Sequence, residues 1–286
     1  MTRRKSRLQK FISKILVIAI IFIASNFVLS WIADWSAYRE PVAVNKAEWD
    51  AITQKMQKNS ALTDEEYQTV FSQTGLGKSA VNNLLRARRY AEIQNYYNYY
   101  MQNNDFECAR DVILAYHEYI TDENGNRIEN PKFADLQNGD IIITLSIHSF
   151  GWRHGHAAIV TDAYNGETVQ AVMLGEQSTI GNVTEWNQFP LVAVLRVKDM
   201  DRATRQKVAD YAKNNLVGLE YSLFAGMFGS QEETLTQTHC AHLVWYAYNQ
   251  FGVDLDSTGG DTVTPKDILK SDKLEIVQVY GNIDQM

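Results

Sequence analysis

The chain has only two cysteines, Cys108 and Cys240, among 286 residues. That excludes a disulfide framework, and without a Cys-x-x-Cys pair the common structural zinc patterns are missing too. A metal set of His148, His154, His156 and Cys240 would rest on His154-Gly155-His156, which lacks ligand spacing. No metal and no other cofactor is therefore expected. Bases are scarce beyond the amino terminus. The first 14 residues hold six of the 27 Lys and Arg and no acid, leaving 21 bases against 34 acids. A body with net charge −13 does not suit a nucleic acid. Internal repeats and low-complexity linkers are absent, so the length describes one ordinary domain with appendages.

One long uncharged run is present. Residues Ile15 to Ala33 carry no ionisable side chain and are long enough to cross a bilayer. Six bases precede or edge it, and Asp34 and Glu40 follow. By the positive-inside rule residues 1–14 form a cytoplasmic tail, 15–33 the anchor, and the body lies outside. A cleaved signal peptide is the rival. Trp31 precedes Ala33 and Trp35 precedes Ala37 by two positions, where cleavage needs small residues, so an uncleaved single-pass anchor is expected. Trp31 and Trp35 suit the membrane interface.

Residues 34–130 read as a helical region with a possible hairpin. Thr63-Asp64-Glu65-Glu66 fits a capping box. Gly75 and Gly77 break that helix, and Ser79 can cap a second, long one through Leu84, Leu85, Tyr90 and Ile93. Tyr96, Tyr97, Tyr99 and Tyr100 read as a packing surface rather than a binding wall. Residues 106–130 fit helix or hairpin equally. From residue 131 the texture changes to strands. Ile141 to Thr144 is a short buried strand, and His156 to Leu174 is a hairpin about Asn165-Gly166. Leu191 to Val197 is a strand and Asp201 to Asn214 a helix. Ala241, Val244, Trp245 and Tyr248 mark one face of a helix after Cys240.

Cys240 and His156 carry the chemistry. A cysteine is a nucleophile as thiolate, and its pKa falls at a helix amino terminus, where free N–H groups face the sulfur. Thr238 or His239 is the expected cap, which places Cys240 in the first turn. An imidazole beside it would take the thiol proton and return it to the leaving group. Of the histidines near the site only His156 starts a strand, and a base benefits from a rigid element. A third group should orient the ring. A three-residue loop in the hairpin puts Glu176 on the His156 face, and a two-residue loop puts Gln177 there. Glu176 is the expected partner, because a carboxylate best stabilises an imidazolium, with Gln177 close behind. The loop holding Trp152 and His154 is expected to shape the pocket.

In chain order, Leu136-Gln137-Asn138-Gly139-Asp140-Ile141, Gly155-His156-Ala157-Ala158-Ile159-Val160 and His239-Cys240-Ala241-His242-Leu243-Val244 resemble the circularly permuted NlpC-like branch of the papain-like cysteine peptidases. Thr264 to Leu269 and Leu274 to Val277 are similar to it as well. The likeness covers roughly residues 130 to 280. It implies an α+β fold over 131–286, with an antiparallel half-barrel packed on the cysteine helix. It implies Cys240 as nucleophile, His156 as base and a polar third residue on the next strand. Tyr221 matches a tyrosine upstream of the family's cysteine and is expected to line the pocket.

The expectation is a membrane-anchored cysteine hydrolase cutting an amide bond, with a peptidoglycan stem peptide as substrate. The alternative is an acyltransferase, thioesterase or amidase acting on acyl lipids. A second alternative is an inactive surface binding module, which requires Cys240 to be buried and unactivated.

Overall fold

The computed structural model describes residues 2–36, 46–100, 105–112, 115–227, 235–260 and 262–281. Its first element is α1 (Thr2–Ser36), which contains an apolar stretch from Gln9 to Ile32 long enough to cross a membrane or to serve as a signal sequence. Four helices follow: α2 (Lys46–Gln57), α3 (Asp64–Thr74), α4 (Lys78–Arg86) and α5 (Tyr90–Tyr100). The capping box forms as expected, with the Thr63 hydroxyl taking the Glu66 N–H and Glu66 returning to the Thr63 N–H at 2.9 Å. Gly75 then ends α3 in the left-handed region. The expected single helix after Gly77 is two helices. Gly77, not Ser79, is the cap of α4, and a turn through Arg88, at φ 58°, separates α4 from α5.

The rest is α+β. A hairpin of β1 (Asp105–Val112) and β2 (Ala115–Thr121) resolves the ambiguous stretch as strands. Then come β3 (Ile141–Thr144), β4 (Ile147–His148), β5 (His156–Asp162), β6 (Glu167–Gln170), β7 (Thr179–Asn182), β8 (Val192–Val197), α6 (Arg202–Asn215), β9 (Glu220–Tyr221), β10 (Gln237–Thr238), α7 (Cys240–Asn249), α8 (Pro265–Leu269) and β11 (Leu274–Tyr280). The main sheet is antiparallel, with order β11-β8-β3-β5-β6-β7.

Both faces of this sheet are covered, which is why its central strands are apolar without alternation. Ile141, Ile143, Ala157 and Ile159 point to one face, where Val208 and Ala212 of α6 and Leu243, Val244 and Ala247 of α7 pack on them. Ile142, Ala158, Val160, Val192 and Val194 point to the other, against Trp49, Val70, Val81, Leu84 and Ile93 of the four helices. The tyrosines of α5 serve this packing. Tyr97 stacks on Trp49 at 4.2 Å, and the Tyr100 hydroxyl donates to the Gly281 carbonyl at 2.9 Å.

Gly139-Asp140 has a structural task. Asp140 is fully buried and takes two hydrogen bonds from the Arg196 guanidinium, at 2.7 and 2.8 Å, tying the entry of β3 to β8. Its Oδ2 also accepts the Gln137 N–H at 2.8 Å. Gly139 is left-handed, and a Cβ there would stand 2.8 Å from the Arg205 carbonyl oxygen of α6.

Candidate functional site

β5 begins abruptly because Gly155 lets it. Gly155 has φ +69°, and a Cβ would lie 2.4 Å from the Thr144 carbonyl oxygen. The next residue, His156, pairs with Thr144 at the end of the sheet. Its ring stacks on Trp186 at 5.1 Å, with 7° between planes. Its Nε2 lies 2.8 Å from Gln170 Oε1.

Gln170 settles the tautomer. Its amide N–H donates to Glu185 Oε2 at 2.8 Å, and a carboxylate only accepts. The amide oxygen must then face the ring, so Nε2 carries the hydrogen and Nδ1 is the basic nitrogen. Glu185 is itself fixed by the Asn182 N–H at 2.9 Å. Gly181 leaves room for this chain of contacts, since a Cβ there would stand 2.1 Å from Gln170 Nε2.

Gln170 therefore occupies the place expected of Glu176 or Gln177. The reason is register. The hairpin turns through a four-residue loop with a bulge between Val160 and Asp162, so Gln170 opposes Ala158. It lies on the His156 face, two positions along. The loop is widened by Asp162, whose carboxylate takes the N–H groups of Tyr164 and Asn165 at 3.0 and 3.1 Å. Glu176 and Gln177 fall beyond β6 and are exposed. The Glu176 carbonyl accepts the Tyr221 N–H at 3.1 Å, and Gln177 donates to Glu220 at 2.7 Å. Asp162 was the available signal for the wider loop.

Cys240 is the first residue of α7, and His239 is the cap, its ring accepting the His242 N–H at 3.3 Å. The sulfur is buried, and the N–H groups of Ala157, Ala241 and Cys240 itself act on it to favour the thiolate. Cys240 and His156 thus flank one peptide unit, the bond from His156 to Ala157. The structure does not bring them together: His156 points with Ala158, Gln170 and Trp186 to the face covered by the four helices, whereas Cys240 packs with Ala157 and Ile143 on the opposite face. Burial pushes the Cys240 thiol up to about 11, against the opposing pull of those three N–H groups. Burial likewise pushes His156 down to about 4, with Gln170 acting the other way. The expected helix-lowered thiolate is thus outweighed by desolvation, and the resting pair is neutral thiol and neutral imidazole, the buried and unactivated cysteine that the binding-module alternative requires.

Of the other candidates, Tyr221 lies near Cys240 and His154 near His156. Tyr221 on β9 pairs with Thr238 of β10, and its pKa is raised by burial and by Cys240 nearby. His154 bonds to Ser149 Oγ at 3.2 Å and meets Trp152 edge-on at 5.8 Å, and Trp152 is 65% exposed. His242 is held by Thr238 at 3.2 Å and stacks on Trp245, a packing role. His148 is buried beside Cys108, 3.3 Å from its sulfur. Neither cysteine is in a disulfide. Among the described residues, no group of three or more His, Cys, Asp or Glu side chains is placed to hold a metal ion.

No family model and no curated protein matches the chain. Among solved structures it is similar to that of the metalloprotein yiiX from Escherichia coli O157:H7, with 18% identity and a TM-score of 0.39. The match covers 49% of this chain and 96% of that one.

Proposed function

We propose that the chain is a membrane-anchored cysteine hydrolase that cleaves an amide bond, with Cys240 as nucleophile, His156 as base and Gln170 orienting the ring. The observation that carries the reading is the buried sulfur at a helix head, set against the amide that follows a histidine whose Nε2 is tied to Gln170. This arrangement supports a permuted papain-like core over 131–286. The thiol proton passes to Nδ1 through water around the end of the sheet, since the two side chains lie on opposite faces, as sulfur attacks the substrate carbonyl and forms an S–C bond. The N–H groups at the head of α7 receive the oxyanion. The imidazolium, its Nε2–H held by Gln170, gives its proton to the leaving amine as the C–N bond breaks. Water, deprotonated by Nδ1, then releases the acid and restores the thiol.

The substrate proposed is a peptidoglycan stem peptide, presented to a body tethered beside the wall. An acyl-lipid substrate is the second reading, favoured by the exposed side chains of Leu174, Leu223 and Phe224 on segments joined to Tyr221 and Gln170. Incubating the full chain with purified wall fragments, and separately with fatty-acyl amides, tests both by mass spectrometry of the products. The proposal predicts stem-peptide cleavage that disappears in Cys240→Ala. Cleavage unchanged by that substitution would sink it.

A further inference from the structure

The anchor and the body meet at an unexpected height. On α1 nearly every large apolar side chain is exposed, yet Asn26 and Ser30 are each only 1% exposed. With Phe22 they form one stripe at spacing four. The stripe is covered by the loop just before the candidate site. Phe22 meets Phe150 at 4.5 Å between ring centroids, and Asn26 Oδ1 accepts the Phe150 N–H at 3.0 Å. Gly151 lies so close to α1 that a Cβ there would stand 2.7 Å from the Leu29 carbonyl oxygen.

These contacts lie inside the apolar run. At about 1.5 Å per residue, Asn26 is roughly 10 Å and Phe22 roughly 16 Å below Ala33, where the run ends. Arg110 sets a shallower boundary: its guanidinium sits 4.9 Å from the Phe27 ring centroid, and a cation snorkelling to the headgroups there would put the surface near Phe27, above Phe22 but below Leu29. Phe22 lies below either boundary.

Irregular backbone at such depth is stable only where its polar groups are paired. The loop meets that condition at three of its four N–H groups. Ser149 and Trp152 exchange backbone hydrogen bonds at 3.0 and 2.9 Å, and Asn26 takes the Phe150 N–H. This also accounts for an asparagine in the middle of an apolar helix. Phe150 is held at φ 53°, a conformation uncommon for a bulky side chain, and Trp152 is turned outward.

We infer that the loop from Ser149 to Trp152 is inserted, beside α1, into the outer leaflet of the bilayer, with Trp152 in contact with lipid. The inference rests on α1 being a membrane anchor and not on the chemistry of Cys240. Because His154 meets Trp152 edge-on, two residues before the strand that starts at His156, that strand begins near the membrane surface.

The test uses the full chain reconstituted in phosphatidylcholine–phosphatidylglycerol vesicles, with and without phosphatidylcholine brominated at mid-chain. The chain has six tryptophans, so wild type is compared with Trp152→Phe. A lipid-bound Trp152 means that the substitution lowers the fraction of emission quenched by bromine. A fraction that is unchanged or higher overturns the inference, since removing an unquenched indole can only raise it. Tyr164→Trp gives a calibration, because Tyr164 is 96% exposed at the hairpin tip and its added emission should escape quenching. A chain that does not float with the vesicles refutes the anchor as well as the loop. A floating chain with the wrong quenching sign refutes the loop alone, and neither outcome bears on the chemistry proposed for Cys240.

Discussion

Replacing Gln170 with Ala isolates the residue that holds His156. The substitution removes a buried 2.8 Å contact to Nε2 and a second one to Glu185. A buried donor left unpaired costs about 1–3 kcal/mol. The imidazolium needs that acceptor more than the neutral ring does, so much of the cost falls on the transition state. At about 1.36 kcal/mol per tenfold, this amounts to a roughly 10- to 100-fold loss in kcat/KM. Trp186 still stacks on the ring, so the base is loosened rather than lost. Two readouts apply: hydrolysis of stem peptide, and the rate at which iodoacetamide labels Cys240, mapped by mass spectrometry. Both should fall, with thermal unfolding changed by only a few degrees. Glu176→Ala is the comparison and should stay within a few-fold of wild type, because its side chain is exposed and apart from the ring. If Gln170→Ala leaves both rates intact while Glu176→Ala abolishes them, the assignment of the orienting residue is refuted.

The neutral resting pair predicts that labelling of Cys240 by iodoacetamide keeps rising with pH toward about 11; a plateau already reached at pH 6 would indicate an ion pair instead. His148, His156, His239 and His242 are all pushed down to about 4 by burial, from an ordinary 6.5. In that window the unfolded chain binds protons that the folded chain refuses, so stability should fall as pH drops from 6.5 to 4, read as a decreasing Tm. Asp140→Ala leaves the buried Arg196 with only its contacts to Asp135 and should cost about 3 kcal/mol in urea unfolding, the low end for a broken buried pair. Gly181→Ala pushes on Gln170 Nε2 and should reproduce part of the Gln170→Ala loss in labelling rate with little change in Tm.

Features that depend on local pattern were legible in the residues alone. Ile15 to Ala33 reads as a long apolar helix because nothing charged interrupts it, and α1 contains it. The Thr63 box, the burial of Ile141 to Thr144 and the place of Cys240 in the first turn of α7 follow from capping chemistry and periodicity, which act within a few residues. Tertiary structure decided what depends on register and burial. A bulge and the Asp162 turn shifted the hairpin, so Gln170 rather than Glu176 reaches His156. Helices packed on both faces of the sheet withdrew water from the thiol and the imidazole, and desolvation overcame the helix head that favoured a thiolate. The contact between α1 and Phe150 joins residues 124 positions apart, a distance over which no local pattern operates.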